Sequence, residues 1–131
     1  MKWSIMPFPE ILIVDDTPLN LDVLSSLLSS FHPRIAADGA TALRMAQQRP
    51  PDLILLDVMM PGLDGFEVCR RIKAREETRG TTVIAITAHP SPKAEQRILE
   101  CGAEVCLTKP LEAEVLLKHL ATATPRLPGA W

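Results

Sequence analysis

The chain has 131 residues, 47% of them hydrophobic and 23% charged, which suits one globular domain with a real core and argues against disorder. A net charge of −2 argues against a nucleic-acid surface. The three cysteines, Cys69, Cys101 and Cys106, are an odd count without zinc-type spacing and read as reduced residues of a cytoplasmic protein.

Residues 1–9 carry two prolines and no long apolar stretch, so they read as an N-terminal extension and not as a signal peptide. No apolar run approaches the ~20 residues that span a bilayer, and no membrane association is expected. A domain is expected over 10–121, followed by a tail or linker stub over 122–131.

Short apolar runs alternate with helical patterns, the pattern of βαβ units and a parallel sheet covered on both faces. The first strand is predicted from about Glu10 to Asp15. Thr17-Pro18 then starts a helix whose Leu24, Leu27, Leu28 and Phe31 share one face. A weak strand over Arg34–Ala37 stops at Asp38-Gly39, and a second helix runs from Ala40 to Gln48 until Pro50-Pro51 ends it. The third strand is Asp52–Asp57, and the next helix turns Phe66, Cys69 and Ile72 inward. A fourth strand over Val83–Thr87 precedes a helix over Pro92–Glu100, which Gly102 stops in a left-handed conformation. The last strand is Val105–Thr108, and a fifth helix with Val115, Leu116 and Leu120 on one side runs to about Ala121. Strict alternation predicts an α/β doubly wound sheet of five parallel strands with five helices.

The chemistry-bearing residues sit where the apolar runs stop. Asp15 and Asp16 follow Ile11-Leu12-Ile13-Val14, and Asp57 follows Leu53-Ile54-Leu55-Leu56. Thr87 and Lys109 close the fourth and fifth runs. Open α/β sheets bind ligands beyond the carboxyl ends of their strands. Consecutive strand residues point to opposite faces, so Asp15 and Asp16 reach one ion only if the strand ends there. Two carboxylates ~4 Å apart repel by about 4 kcal/mol at an effective dielectric of 20, which a hard cation relieves. Each residue taken alone also has an ordinary structural use. Asp16 suits a helix N-terminus, Asp57 a turn, Thr87 a strand and Lys109 a solvated surface. Their shared sheet edge favours a carboxylate site for a divalent cation and a phosphoryl group.

Asp15-Asp16, the stretch from Asp57 to Gly65, Thr87-Ala88 and Lys109-Pro110 resemble the receiver domains of two-component response regulators, over about Glu10 to Ala121. The resemblance implies a flavodoxin-like strand order 2-1-3-4-5. It implies that Asp57 accepts a phosphoryl group from a sensor histidine kinase or histidine phosphotransfer protein, with slow self-dephosphorylation and no other enzymatic turnover. Asp16, Asp57 and the Met59 carbonyl would hold Mg²⁺, for which Mn²⁺ can substitute, with Asp15 assisting through water. Lys109 and the Ala88 backbone would contact the phosphoryl oxygens, Thr87 would be the switch hydroxyl, and the peptide between Lys109 and Pro110 would be cis. The first helix, Leu19 to Ser30, would be the kinase-docking surface. The signal would leave through the face built on the fourth helix, fifth strand and fifth helix. It would pass to a downstream effector or fused output domain, from a monomer or weak dimer.

Two features depart from the receiver pattern. Cys106 stands where such domains carry an aromatic that moves with the switch threonine, and the chain has no tyrosine. Met59 and His89 flank the expected path of a hydrolytic water, and methionine orients water poorly, so a persistent phosphoryl group is expected. Three alternatives are a phosphohydrolase resembling the haloacid dehalogenases, an interaction module that is never phosphorylated, and a nucleotide- or flavin-binding domain. The adjacent acids and the lack of room for a cap oppose the first, the intact acids, threonine and lysine the second. The third lacks a glycine-rich loop after the first strand.

Overall fold

A computed structural model of the chain describes residues 9–60, 62–109 and 111–123, with side chains described as far as Leu120. The strands are β1 (Ile11–Val14), β2 (Arg34–Ala36), β3 (Leu53–Asp57), β4 (Thr82–Thr87) and β5 (Val105–Thr108). The helices are α1 (Pro18–Leu27), α2 (Gly39–Gln48), α3 (Gly65–Ala74), α4 (Pro92–Glu100) and α5 (Ala113–Ala123). All strand pairs are parallel, in the order β2-β1-β3-β4-β5, as expected.

Alternation along the strands divides the core in two. Leu12, Val14, Ile54, Leu56, Val83 and Ala85 face α2, α3 and α4, meeting Ala42, Ala46, Val68, Ile72 and Ile98. Ile11, Ile13, Leu53, Leu55, Ile84 and Ile86 face α1 and α5, meeting Leu24, Leu28, Leu116 and Leu120. The central strands are buried on both faces, which is why they read as continuous apolar runs.

Side chains cap three helices: Asp38 accepts from Thr41 N–H, Asp64 from Glu67 N–H and Ser91 from Ala94 N–H. Gly102 has φ +110°, the left-handed stop that its sequence position predicts. Two expectations are corrected. The first helix does not continue through Phe31: it ends at Leu27, and Ser29–Phe31 form a separate 3₁₀ turn closed by His32 at φ 51°. Ser29-Ser30 are weak helix formers, and Pro33 disfavours helical backbone at the residue before it. Val115 is 38% exposed, because α5 lays Leu116 and Leu120, four apart, on the sheet and turns Val115 away from them. Among the described residues no helix is long and apolar enough to cross a membrane.

Candidate phosphoryl site

At the carboxyl ends of β1 and β3 the chain gathers its acids. β1 stops at Val14, and the next residue still donates its N–H to Ala36 O at 3.2 Å. The Asp15 carboxylate then accepts from Thr17 N–H at 2.9 Å, a local turn that ends the strand and leaves Asp15 buried and Asp16 exposed. This break lets both acids face one point. Asp15, Asp16 and Asp57 each present a carboxylate oxygen, all within 4.8 Å of one another.

Among the described residues, the ammonium beside them comes from the end of β5. Lys109 N–H donates to Thr87 O at 2.8 Å, which fixes the backbone across the β4–β5 edge. Its Nζ lies 3.0 Å from Asp15 Oδ2 and 3.5 Å from Asp57 Oδ1. Asp57 Oδ1 also accepts from Met59 N–H at 3.3 Å. These contacts do not offset the surroundings. Burial first, and the Asp15 charge second, push the Asp57 carboxyl up to about 6, against the opposing pull of Lys109 and the Met59 N–H.

Three oxygen donors converging on one point, in excess of the nearby positive charge, form a donor set that fits a small hard cation such as Mg²⁺.

Thr87 ends β4, buried, with its hydroxyl accepting from His89 N–H at 3.1 Å. A cavity of about 710 Å³ opens over the cluster, lined by Asp16, Asp57, Met59, Ala88, His89 and Lys109 and walled by Leu19 and Val23 of α1. Met59 is 60% exposed at its mouth, whereas Met60 is buried in the core. Cys106, opposite Ala85 in the β4–β5 ladder, is half-buried and packs against the core side covered by α2, α3 and α4. Burial raises its thiol above the ordinary value, consistent with a packing residue. The peptide before Pro110 lies outside the described residues.

Two glycines that the motif pattern gave no role also shape the site. Gly65 lies so close to the acid strand that a β-carbon there would meet Asp57 O at 2.5 Å and Val58 Cα at 2.6 Å. Gly39 approaches the same loop from α2. The Asp-Gly pair at 38–39 and the Asp-Gly pair at 64–65 were the available signals, each a cap followed by a residue without a side chain.

Two buried acids with an exposed third, a lysine and a strand-end hydroxyl on a five-stranded 2-1-3-4-5 sheet define a domain that accepts phosphoryl groups on the switch edge of an α/β fold. Comparison with known proteins agrees: the response regulator receiver domain family matches residues 11–121. Response regulator PleD of Caulobacter vibrioides is 43% identical over 116 residues, covering 87% of this chain and 26% of PleD. The signal transduction histidine-protein kinase BarA of Shigella flexneri is 38% identical over 117 residues, covering 88% of this chain and 13% of BarA. The receiver domain of sensor histidine kinase PA1611 from Pseudomonas aeruginosa, solved with magnesium coordinated in its active site cleft, superposes with a TM-score of 0.81. It is 34% identical and covers 90% of this chain and 98% of that one. The chain belongs to the response regulator receiver domain family, and it is a signalling phospho-acceptor. It spans about a quarter of PleD and a smaller share of BarA, whose remaining lengths lie outside the match.

Proposed function

We propose that Asp57 is the phospho-acceptor of a two-component or phosphorelay system. One observation carries this reading: Asp57 is the buried strand-end carboxylate that lies within reach of Lys109 and of two further acids. A carboxylate oxygen of Asp57 attacks the phosphorus of a phosphohistidine on a histidine kinase or phosphotransfer protein. The new P–O bond forms as the P–N bond breaks, and the histidine leaves with the electron pair. Asp16, Asp57 and the Met59 carbonyl would hold Mg²⁺ or Mn²⁺, with Asp15 assisting through water. When bound, the cation neutralises charge on the transferring group.

Lys109 performs the same neutralisation from the β5 side, and its flank on Asp15 orients the ammonium toward Asp57. Buried, Asp57 presents its reacting oxygen without a full hydration shell. The Thr87 hydroxyl keeps its proton available, because its contact with His89 uses it as an acceptor. Together with the Ala88 N–H it receives the new phosphoryl oxygens. That movement biases the segment after β4 and carries the signal to the α4–β5–α5 face.

Cys106 leaves no aromatic to follow Thr87, so the response at β5 is muted. Met59 and His89 at the cavity mouth govern water access, with the exposed thioether slowing self-dephosphorylation. The domain occupies 10–121, works in the cytoplasm as a monomer or weak dimer, and catalyses only its own phosphorylation and dephosphorylation. It passes its signal to an effector or to an output domain of the same chain.

Incubation with acetyl phosphate and Mg²⁺, followed by intact mass measurement, tests the assignment. The wild-type chain gains one phosphoryl mass and Asp57→Asn gains none. A wild-type chain that never gains it refutes the proposal.

A further inference from the structure

Gly39 is the first residue of α2, some distance along the chain from every acid of the site. A β-carbon placed on it would lie 2.6 Å from Leu63 O, 2.8 Å from Val68 Cγ2 and 3.2 Å from Leu63 Cβ. The backbone imposes no such requirement, since Gly62 and Gly102 are the glycines with positive φ among the described residues. What the position demands is space.

Neither side of this contact can retreat freely. α2 is held by the Asp38 cap on Thr41 and by Ala42 and Ala46, both fully buried against the sheet. The opposing segment closes on itself, with Gly65 N–H donating to Val58 O at 3.0 Å. Gly65 cannot move toward β3, because it already lies on the Asp57 and Val58 backbone. Displacement of Leu63 is therefore taken up between Val58 and Gly65, the stretch that carries Met59.

We infer that Gly39 is a positioning residue for the phosphoryl site: its bare Cα seats Leu63 and so sets where the Met59 backbone stands relative to Asp57. The inference rests on the proposed function, in which the Met59 carbonyl is a cation ligand. It assigns α2, which contributes no side chain to the cavity, a share in the site's cation affinity.

Two obstructing atoms of different kinds separate positioning from mere packing. Val68→Ala removes the Cγ2 obstacle, whereas Leu63 O is backbone and stays in every variant. Mg²⁺ affinity by isothermal titration calorimetry and thermal stability are measured for wild type, Gly39→Ala, Val68→Ala and the double variant. Gly39→Ala is expected to bind Mg²⁺ about tenfold more weakly, the scale of losses from residues that orient a ligand without touching the metal. Val68→Ala is expected to melt earlier and to keep its affinity. The double variant is expected to melt above Gly39→Ala and still to bind weakly. Where Gly39→Ala does not fold, the double variant carries the measurement. Wild-type affinity in either Gly39 variant overturns the inference. A wild-type chain that takes up neither Mg²⁺ nor a phosphoryl group overturns the functional reading, and this inference with it.

Discussion

Replacing Asp57 by asparagine is expected to stabilise the metal-free protein at neutral pH while abolishing its chemistry. The folded protein raises the Asp57 pKa from 3.8 to about 6, through burial and then the charge of Asp15. At about 1.4 kcal/mol per pKa unit, this corresponds to a contribution on the order of 3 kcal/mol. The sign follows from proton counting. Between pH 3.8 and about 6 the folded state binds more protons at Asp57 than the unfolded state does. Stability contributed by this group therefore falls as pH rises through that window, and the whole penalty is present above it. Asparagine fills the same space and carries no charge. In EDTA at pH 7.5, Asp57→Asn should melt higher than wild type, with about 10 °C as the upper range for a domain of this size. Near pH 4 the two should nearly coincide. Urea or thermal denaturation monitored by circular dichroism, repeated from pH 4 to 8, reads the difference curve, in which the titration of groups that do not interact with Asp57 cancels. Curves that stay parallel across the window, or a variant that is less stable at pH 7.5, would refute the reasoning. Mg²⁺ should then raise the wild-type melting point and leave Asp57→Asn much less affected, since a ligand of the folded state stabilises it by mass action.

Lys109→Ala leaves Asp15 buried without the ammonium 3.0 Å away, so the metal-free variant should lose on the order of 3 kcal/mol. Its labelling by acetyl phosphate should slow by about a hundredfold, as for loss of one charge-stabilising group, and unchanged labelling kinetics would exclude Lys109 from the chemistry. Met59→Asn should shorten the phosphoryl lifetime by giving a hydrolytic water a hydrogen-bonding partner. At a side chain 60% exposed it should move the melting point little, and a decay time course without acceleration would count against the role given to Met59. On phosphorylation, amide NMR shifts should be large at residues 57–60 and 87–89 and small at 105–107. A large response there would show that Cys106 does not mute the coupling.

Much of the sheet was legible because its central strands are buried on both faces. Runs such as Leu53–Leu56 and Val83–Ile86, short and bounded by polar residues, fit buried parallel strands, and the polar residue ending each run marks the carboxyl edge. Gly102, with Pro92 in the first turn of the preceding helix, set the bounds of α4 through backbone preferences that act within a few residues. Local signals were weaker where tertiary contacts decide. The register of Phe31 satisfied a helical period, yet the chain had to reverse before Pro33, and a 3₁₀ turn resulted. Val115 matched an apolar face in the sequence, but which arc of α5 meets the sheet depends on where β4 and β5 lie.

The chain by itself determined which residues meet, because five parallel strands bring the ends of β1, β3, β4 and β5 to one edge whatever the details of packing. Only the tertiary structure decided how they meet. It buried Asp15 and exposed its neighbour Asp16, aimed Lys109 between two carboxylates, and lifted the Asp57 carboxyl to about 6. It also brought Gly39 against Leu63, a contact between residues far apart in sequence. Burial, charge spacing and van der Waals clearance are properties of distances through space, and no local pattern in the chain encodes them.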